Sequence, residues 1–268
     1  MTRKGLFRRK KRRQVELRSA REIAILREAG RLVAQTFAHI EPLIKPGVHL
    51  FEIDAAATEF LLAKGAKPLY KGYQGNPPTQ PPFPGVICAS VNQEICHGLP
   101  DGRQLNEGDI VGIDIGLRYE GYCGDACVTF PVGEVAPATA RLLKVAEECL
   151  HVGIQTAQVG RRLSDIGAAI EEHAQANGYS VARDWGGHGI GEELHEGLSV
   201  PHWGPAGQGP RLRPGMVFTI EPMINVGAPD WLLLKDGWTV VTFDHSLSAQ
   251  FEHTIAITTD GPQLLSVL

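Results

Sequence analysis

Four acids and one histidine along this 268-residue chain each sit among apolar or glycine neighbours, where a charge is costly to keep. Asp114 lies in Ile110-Val-Gly-Ile-Asp-Ile-Gly116, and Asp125 follows across a short turn. His188 lies in Gly186-Gly-His-Gly-Ile-Gly191, Glu221 in Phe218-Thr-Ile-Glu-Pro-Met223 and Glu252 in Ala249-Gln-Phe-Glu-His-Thr-Ile255. Carboxylates gathered in a common interior repel one another and must neutralise or pair. Two divalent cations would balance the four negative charges, which is the chemistry of a dinuclear metal hydrolase. One imidazole among four carboxylates makes an oxygen-rich, hard site, suited to Mn, Fe or Co at least as well as to Zn.

The elements that must position these groups are legible in outline. Asp114 and Asp125 are eleven residues apart with Tyr119-Glu-Gly121 midway, so a hairpin is expected to set them about opposite each other at a Cβ separation of ~5 Å. Ile113 and Ile115 alternate with Gly112, Asp114 and Gly116, so the acid-bearing face carries glycines rather than other polar groups. The glycines around His188 suggest a tight loop with close backbone approach. Cys123 and Cys127 flank Asp125 at i±2. They read as small buried residues rather than soft ligands.

Upstream, Ser19-Ala-Arg-Glu22 is a capping box opening a helix with Leu26, Gly30, Val33 and Phe37 on one face, ending before Pro42. A second helix is expected over 50–64, closed by Gly65, then a proline-rich loop over 75–85 and strands near 86–91, 109–118 and 121–131. Helices return at 137–157 and 163–177, with strands at 216–225, 238–244 and 249–258. Helix-helix-strands twice over implies an α+β fold with an internal pseudo-duplication and no independent second domain.

Bulk properties exclude several classes. A net charge of −4 argues against bulk nucleic-acid binding, and no apolar run approaches a membrane span. The charge is uneven, however: Arg3, Lys4, Arg8, Arg9, Lys10, Lys11, Arg12 and Arg13 crowd the start, and 1–17 reads as a disordered basic tail ahead of one catalytic domain over 18–268. No apolar segment follows it, so it is not a secretory signal. Five cysteines without a CxxC pair suggest reduced thiols and a cytoplasmic setting.

Taken in order, Ile95-Cys-His-Gly-Leu-Pro100, Ile113-Asp-Ile115, Gly124-Asp125, Gly187-His-Gly-Ile-Gly191, Thr219-Ile-Glu-Pro-Met223, Lys235-Asp-Gly-Trp-Thr239 and Glu252-His-Thr254 resemble the pita-bread metallopeptidases, and among them the type I methionine aminopeptidases. The resemblance runs from about Ser19 to the C-terminus. It implies a pita-bread fold of pseudo-two-fold helix-helix-strand halves around a central antiparallel sheet. It implies two divalent ions (Co, Mn, Fe or Zn) on Asp114, Asp125, His188, Glu221 and Glu252. Glu252 would bridge both, and Glu221 would also help deprotonate the attacking water. His97 would contact the substrate near its amino end, and His195 would donate to the scissile carbonyl. Tyr73, Phe83, Cys88 and Trp238 would line a methionine pocket. This sequence departs from the family in having Leu194 ahead of His195 and a longer stretch between Tyr73 and Phe83. The implied activity is removal of the initiator methionine from nascent chains whose second residue is small. A proline-directed aminopeptidase of the same fold would usually carry a domain ahead of the catalytic one, and a non-enzymatic binding protein would have lost ligands. The remaining expectations are a monomer, no membrane partner, and docking of the basic tail on ribosomal RNA or another polyanion. His39, His49, His151, His173, His202, His245 and His253 read as structural.

Overall fold

A computed structural model describes residues 15–75 and 80–268. The basic tail up to residue 14 and part of the proline-rich loop lie outside the described residues. Helix α1 (Ala20–Ile40) begins where expected: Ser19 accepts from the Glu22 N–H while the Glu22 side chain accepts from the Ser19 N–H. Its buried face includes Leu26, Gly30, Val33 and Phe37. Helix α2 (Leu50–Ala63) is closed by Gly65 at φ +71°. Then come β1 (Lys67–Pro68), β2 (Cys88–Val91), β3 (Glu94–Cys96), β4 (Ile110–Tyr119) and β5 (Tyr122–Pro131). The second half repeats the plan with α3 (Pro137–Thr156) and α4 (Leu163–Ala176), followed by β6 (Ser180–Val181), β7 (Gly186–Gly189) and β8 (Glu196–Pro201). It ends with β9 (Val217–Ile220), β10 (Met223–Asn225), β11 (Trp231–Leu233), β12 (Val240–Thr242), β13 (Ser248–Gln250), β14 (His253–Thr258) and β15 (Gly261–Leu264). No helix among the described residues is long and apolar enough to cross a membrane.

Among the described residues all strand pairings are antiparallel, and they fall into four sheets. Strand β4 is central to the first half, with β5 along one edge and β2 and β1 along the other. Ile113, Ile115 and Leu117 face a core made with α1 and α2, leaving Asp114 on the opposite face. Helices α3 and α4 cover a matching core over β9, β10, β13 and β14.

Three expectations need correction. The β4–β5 loop is Glu120-Gly121, both at positive φ, so Asp114 pairs with Cys127 and Asp125 with Gly116. A two-residue turn centred between 120 and 121 makes the aspartates diagonal neighbours on one face rather than direct partners. The glycines around His188 form strand β7 rather than a loop. They serve close approach, since a Cβ on Gly187 would sit 2.2 Å from the Thr219 carbonyl oxygen. Finally, the strands expected over 216–225 and 249–258 are each broken, at Glu221-Pro222 and at Phe251-Glu252. Pro222 has no N–H to continue the ladder. Across the break the Glu252 N–H turns to the Cys127 carbonyl at 2.8 Å instead.

Sequence patterning also missed β1, β3, β6, β7, β8, β11 and β15, most of them only two to four residues long. Strands so short carry too few residues for an alternation to stand out.

The halves are stitched by hydrogen bonds from this break. Thr254 Oγ1 donates to the Asp125 carbonyl at 2.8 Å, and Thr129 Oγ1 to the Gln250 carbonyl at 2.7 Å. Helix α1 lies against β5 where Gly124 leaves room: a Cβ there would meet the Ala29 carbonyl carbon at 2.5 Å. Gly124→Ala should therefore cost about 1–3 kcal/mol of stability by overpacking, read as a lower urea midpoint. An unchanged midpoint would show that α1 does not pack this closely.

Candidate metal centre and substrate cavity

Asp114 and Asp125 come from β4 and β5, His188 from β7, and Glu221 and Glu252 from the two facing breaks. All five line one cavity of about 390 Å³. His97, His195, Tyr73, Phe83, Cys88 and Trp238 line it too, so every site residue expected from the sequence meets there. Asp125, Glu221 and Glu252 are almost wholly buried, at 3%, 8% and 2% exposure.

The ligand candidates are oriented by neighbours. His188 Nδ1 lies 3.2 Å from the Gly189 carbonyl, which turns Nε2 towards Asp125 Oδ2 at 3.5 Å and Glu221 Oε1 at 3.7 Å. A histidine fixed through one nitrogen offers the other to a metal. Thr219 Oγ1 accepts the His188 N–H at 2.9 Å and donates to Glu221 Oε1 at 2.8 Å. Gln250 Nε2 donates to Glu221 Oε2 at 3.3 Å. Ligand atoms of Asp125, His188 and Glu252 all lie within 4.8 Å of one another.

Electrostatics set out the need for a cation. Burial, then the neighbouring Asp125 charge, raises the carboxyls of Asp114 and Glu252 well above their ordinary range. Glu221 is pushed up to about 7, also by burial, with His188 and Thr219 holding it partly down. Burial works against a charged His188, but its bond to Asp125 and the Glu221 charge outweigh it and raise it to about 9. Among the described residues, Glu252 Oε1 is buried without any hydrogen-bond partner. A divalent cation is the partner this donor set fits.

The two other histidines differ. Burial lowers His97 and His195 each to about 4, so both rings are neutral near pH 7. His97 follows β3 at φ +57°, an unusual backbone for a residue with a Cβ, and packs edge-on to Trp185 at 5.2 Å. His195 stands just ahead of β8, and the β7–β8 hairpin with its bulge brings its ring 4.3 Å from that of His188.

Tyr73, Phe83 and Trp238 form an aromatic corner, with Trp238 edge-on to Tyr73 at 6.4 Å and to Phe83 at 5.3 Å. The Asp236 carboxylate accepts from the N–H groups of Trp238 and Thr239, fixing the turn that presents the indole. Leu194 fills its position beside Leu26, Cys123, Ile190 and Val217 as core that also reaches the cavity. Cys123 and Cys127 are buried, and all five cysteines are unpaired. His202, read as structural, is buried and accepts the Glu221 N–H at 3.2 Å.

Sequence reading missed Tyr70, Trp185, Met223 and Gln250, which also reach this region. Met223 and Gln250 each lie two residues from a candidate ligand and could have been found by that proximity. Trp185 and Tyr70 carry no such signal.

Residues 24–259 match the model of metallopeptidase family M24, and the chain belongs to that family. It is 47% identical over 254 residues to methionine aminopeptidase A of Synechocystis, covering 94% of this chain and 98% of that one. The crystal structure of methionine aminopeptidase from Rickettsia prowazekii superposes with a TM-score of 0.91 at 40% identity, over 95% of this chain and 100% of that one. The Xaa-Pro dipeptidase of Bacillus anthracis shares the fold at 23% identity and a TM-score of 0.73, with 93% of this chain matching 61% of a longer one. The resemblance and the pita-bread fold read from the sequence are thus borne out.

A cation entering this centre must displace the protons that His188 and Glu221 hold in the metal-free chain, with values of about 9 and about 7. Apparent affinity should therefore rise as pH climbs through 7 towards 9 and fall below 7, with proton release on binding. Calorimetry in two buffers of different ionisation enthalpy measures that release. Equal affinity from pH 6 to 9 with no proton release would contradict it.

Proposed function

We propose that the chain is a methionine aminopeptidase that uses two divalent cations (Mn, Fe, Co or Zn) and acts on polypeptides whose second residue is small and uncharged. The observation that carries this reading is the convergence of five ligand candidates and two neutral histidines on one cavity with an aromatic corner. Asp114, Asp125, His188, Glu221 and Glu252 would hold the ions. When bound, they would supply an activated water and grip the free α-amine of the first residue.

The chain's own groups account for the rest. Glu221, held by Thr219 and Gln250 beside the ions it would help to hold, is placed to take a proton from the attacking water. His195, neutral and 3.3 Å from the Tyr73 hydroxyl, has a ring N–H to donate where the carbonyl oxygen gains charge. His97 lines the same space and orients the amino end. Phe83, Tyr73 and Trp238 offer aromatic faces and edges to a thioether, with the Cys88 sulfur nearby. The second side chain of the substrate would face the wall near both histidines, where bulk clashes.

The test is a comparison of Met-Ala-Ser, Met-Lys-Ser and Ala-Pro-Ser peptides with each metal. Met-Ala-Ser should exceed the others in kcat/KM by orders of magnitude. Comparable rates on the two methionine peptides would leave only a broad aminopeptidase, and a preference for Ala-Pro-Ser would make it a proline-directed one.

His195→Ala should retain metal and lose about 10²–10³-fold in kcat, the usual size for one such donor. Loss of metal in that variant would contradict the role. Asp114→Asn should instead lose cation and turnover together, and wild-type metal content at wild-type rate would contradict that.

The eight basic residues within positions 3–13 are proposed to dock the enzyme on ribosomal RNA, close to emerging chains in the cytoplasm. Removing residues 2–13 should weaken ribosome co-sedimentation in a salt-dependent way without changing peptide cleavage. Equal binding at low salt would end that part of the proposal.

A further inference from the structure

Tyr70 lies in the segment after β1, whose Leu69 N–H donates to the Gly116 carbonyl at 3.0 Å and so ties it to strand β4. Its ring packs edge-on to Phe83 at 6.3 Å and enters over Gly116, where a Cβ would stand 2.6 Å from a ring carbon. A glycine at that position is what lets the ring reach inward. The hydroxyl ends 2.5 Å from Asp114 Oδ1 and 2.7 Å from Asp125 Oδ1. Among the described residues, no other side chain hydrogen-bonds Asp114. Glu221, by contrast, has Thr219 and Gln250.

We propose that Tyr70 is a positioning residue of this centre, its hydroxyl tying Asp114 to Asp125 and so setting how tightly the Asp114 side holds its cation. This rests on the two-cation reading above. The two cation positions then differ in kind. Asp125, His188 and Glu252 already converge, with His188 fixed by the Gly189 carbonyl; of the three only Asp125 also meets Tyr70, through Oδ1 rather than the Oδ2 that faces His188. The Asp114 side depends on diagonal neighbours in the β4–β5 ladder, which the pairing alone does not bring together. A single hydroxyl, its one proton shared between an oxygen of each carboxylate, supplies the missing constraint. It leaves the remaining lone pairs of both carboxylates available to a cation. Partners of this sort, hydrogen-bonded to the ligands rather than to the metal, are usually worth 10–100-fold in affinity.

The test is calorimetric titration of Mn²⁺ into chelator-treated wild type, Tyr70→Phe and Gly116→Ala. Phenylalanine keeps the ring and removes only the hydroxyl, and alanine at 116 forces the ring outward. Wild type should take two equivalents. In Tyr70→Phe the first should bind as in wild type and the second about 10–100-fold more weakly, with the melting temperature of the metal-free chain close to wild type. Gly116→Ala should weaken the same equivalent. Should Tyr70→Phe prove unstable, Gly116→Ala carries the measurement. A second equivalent that binds equally well in both variants would overturn the proposal, and so would one that binds more tightly, since the hydroxyl would then be competing with the cation. One equivalent in wild type would instead sink the two-cation reading itself.

Discussion

Repulsion among four carboxylates closed into one cavity is the constraint on which this molecule turns. Two of them, Asp114 and Asp125, belong to the first helix-helix-strand half, while Glu221, Glu252 and His188 belong to the second. Burial penalises each charge, and proximity penalises them jointly. Protonation is one answer, since burial holds the carboxyls of Asp114, Glu221 and Glu252 above their ordinary range, while Glu252 Oε1 lacks any partner among the described residues. On the proposed reading, cations answer instead and clamp the halves together. Binding to the folded state alone at 100 times Kd would add roughly 2.7 kcal/mol to stability for one site. The hydrogen bonds from Glu252, Thr254 and Thr129 hold the halves in register for that clamp.

A breaking of regular structure delivers the acids. Pro222 interrupts one strand and Phe251-Glu252 interrupts its partner at the same level, between the pairs Ile220–His253 and Met223–Gln250, so Glu221 and Glu252 stand opposite each other at the break. Glycines do the corresponding work on the histidine side, where β7 presses against the Thr219 backbone more closely than any Cβ permits. The two neutral histidines line the same cavity. Their neutrality follows from burial, so both keep one N–H to donate and one lone pair to accept.

Much of this was legible in the residues. The helices declared themselves through the Ser19–Glu22 box and the closing glycines at 65 and 178, and the ligand set through acids placed among apolar neighbours. What escaped was geometry that depends on register or on distant chain. The diagonal offset of Asp114 and Asp125 hinges on where the two-residue turn sits: centred between 119 and 120 it would pair them directly, and centred one residue later it pairs Asp114 with Cys127 and Asp125 with Gly116. Strand β7 is nearly all glycine, so its sequence offers no alternation to read. Tyr70 acts across forty-four positions of chain, through a gap left by a glycine elsewhere, and nothing local marks it.

The most direct measurement is anomalous diffraction from crystals of the chain loaded with Mn²⁺. On the proposed reading, two peaks ~3.5–4 Å apart are expected in the cavity, among Asp114, Asp125, His188, Glu221 and Glu252. A single peak, or peaks away from these side chains, would contradict a centre in which two cations neutralise the four acids.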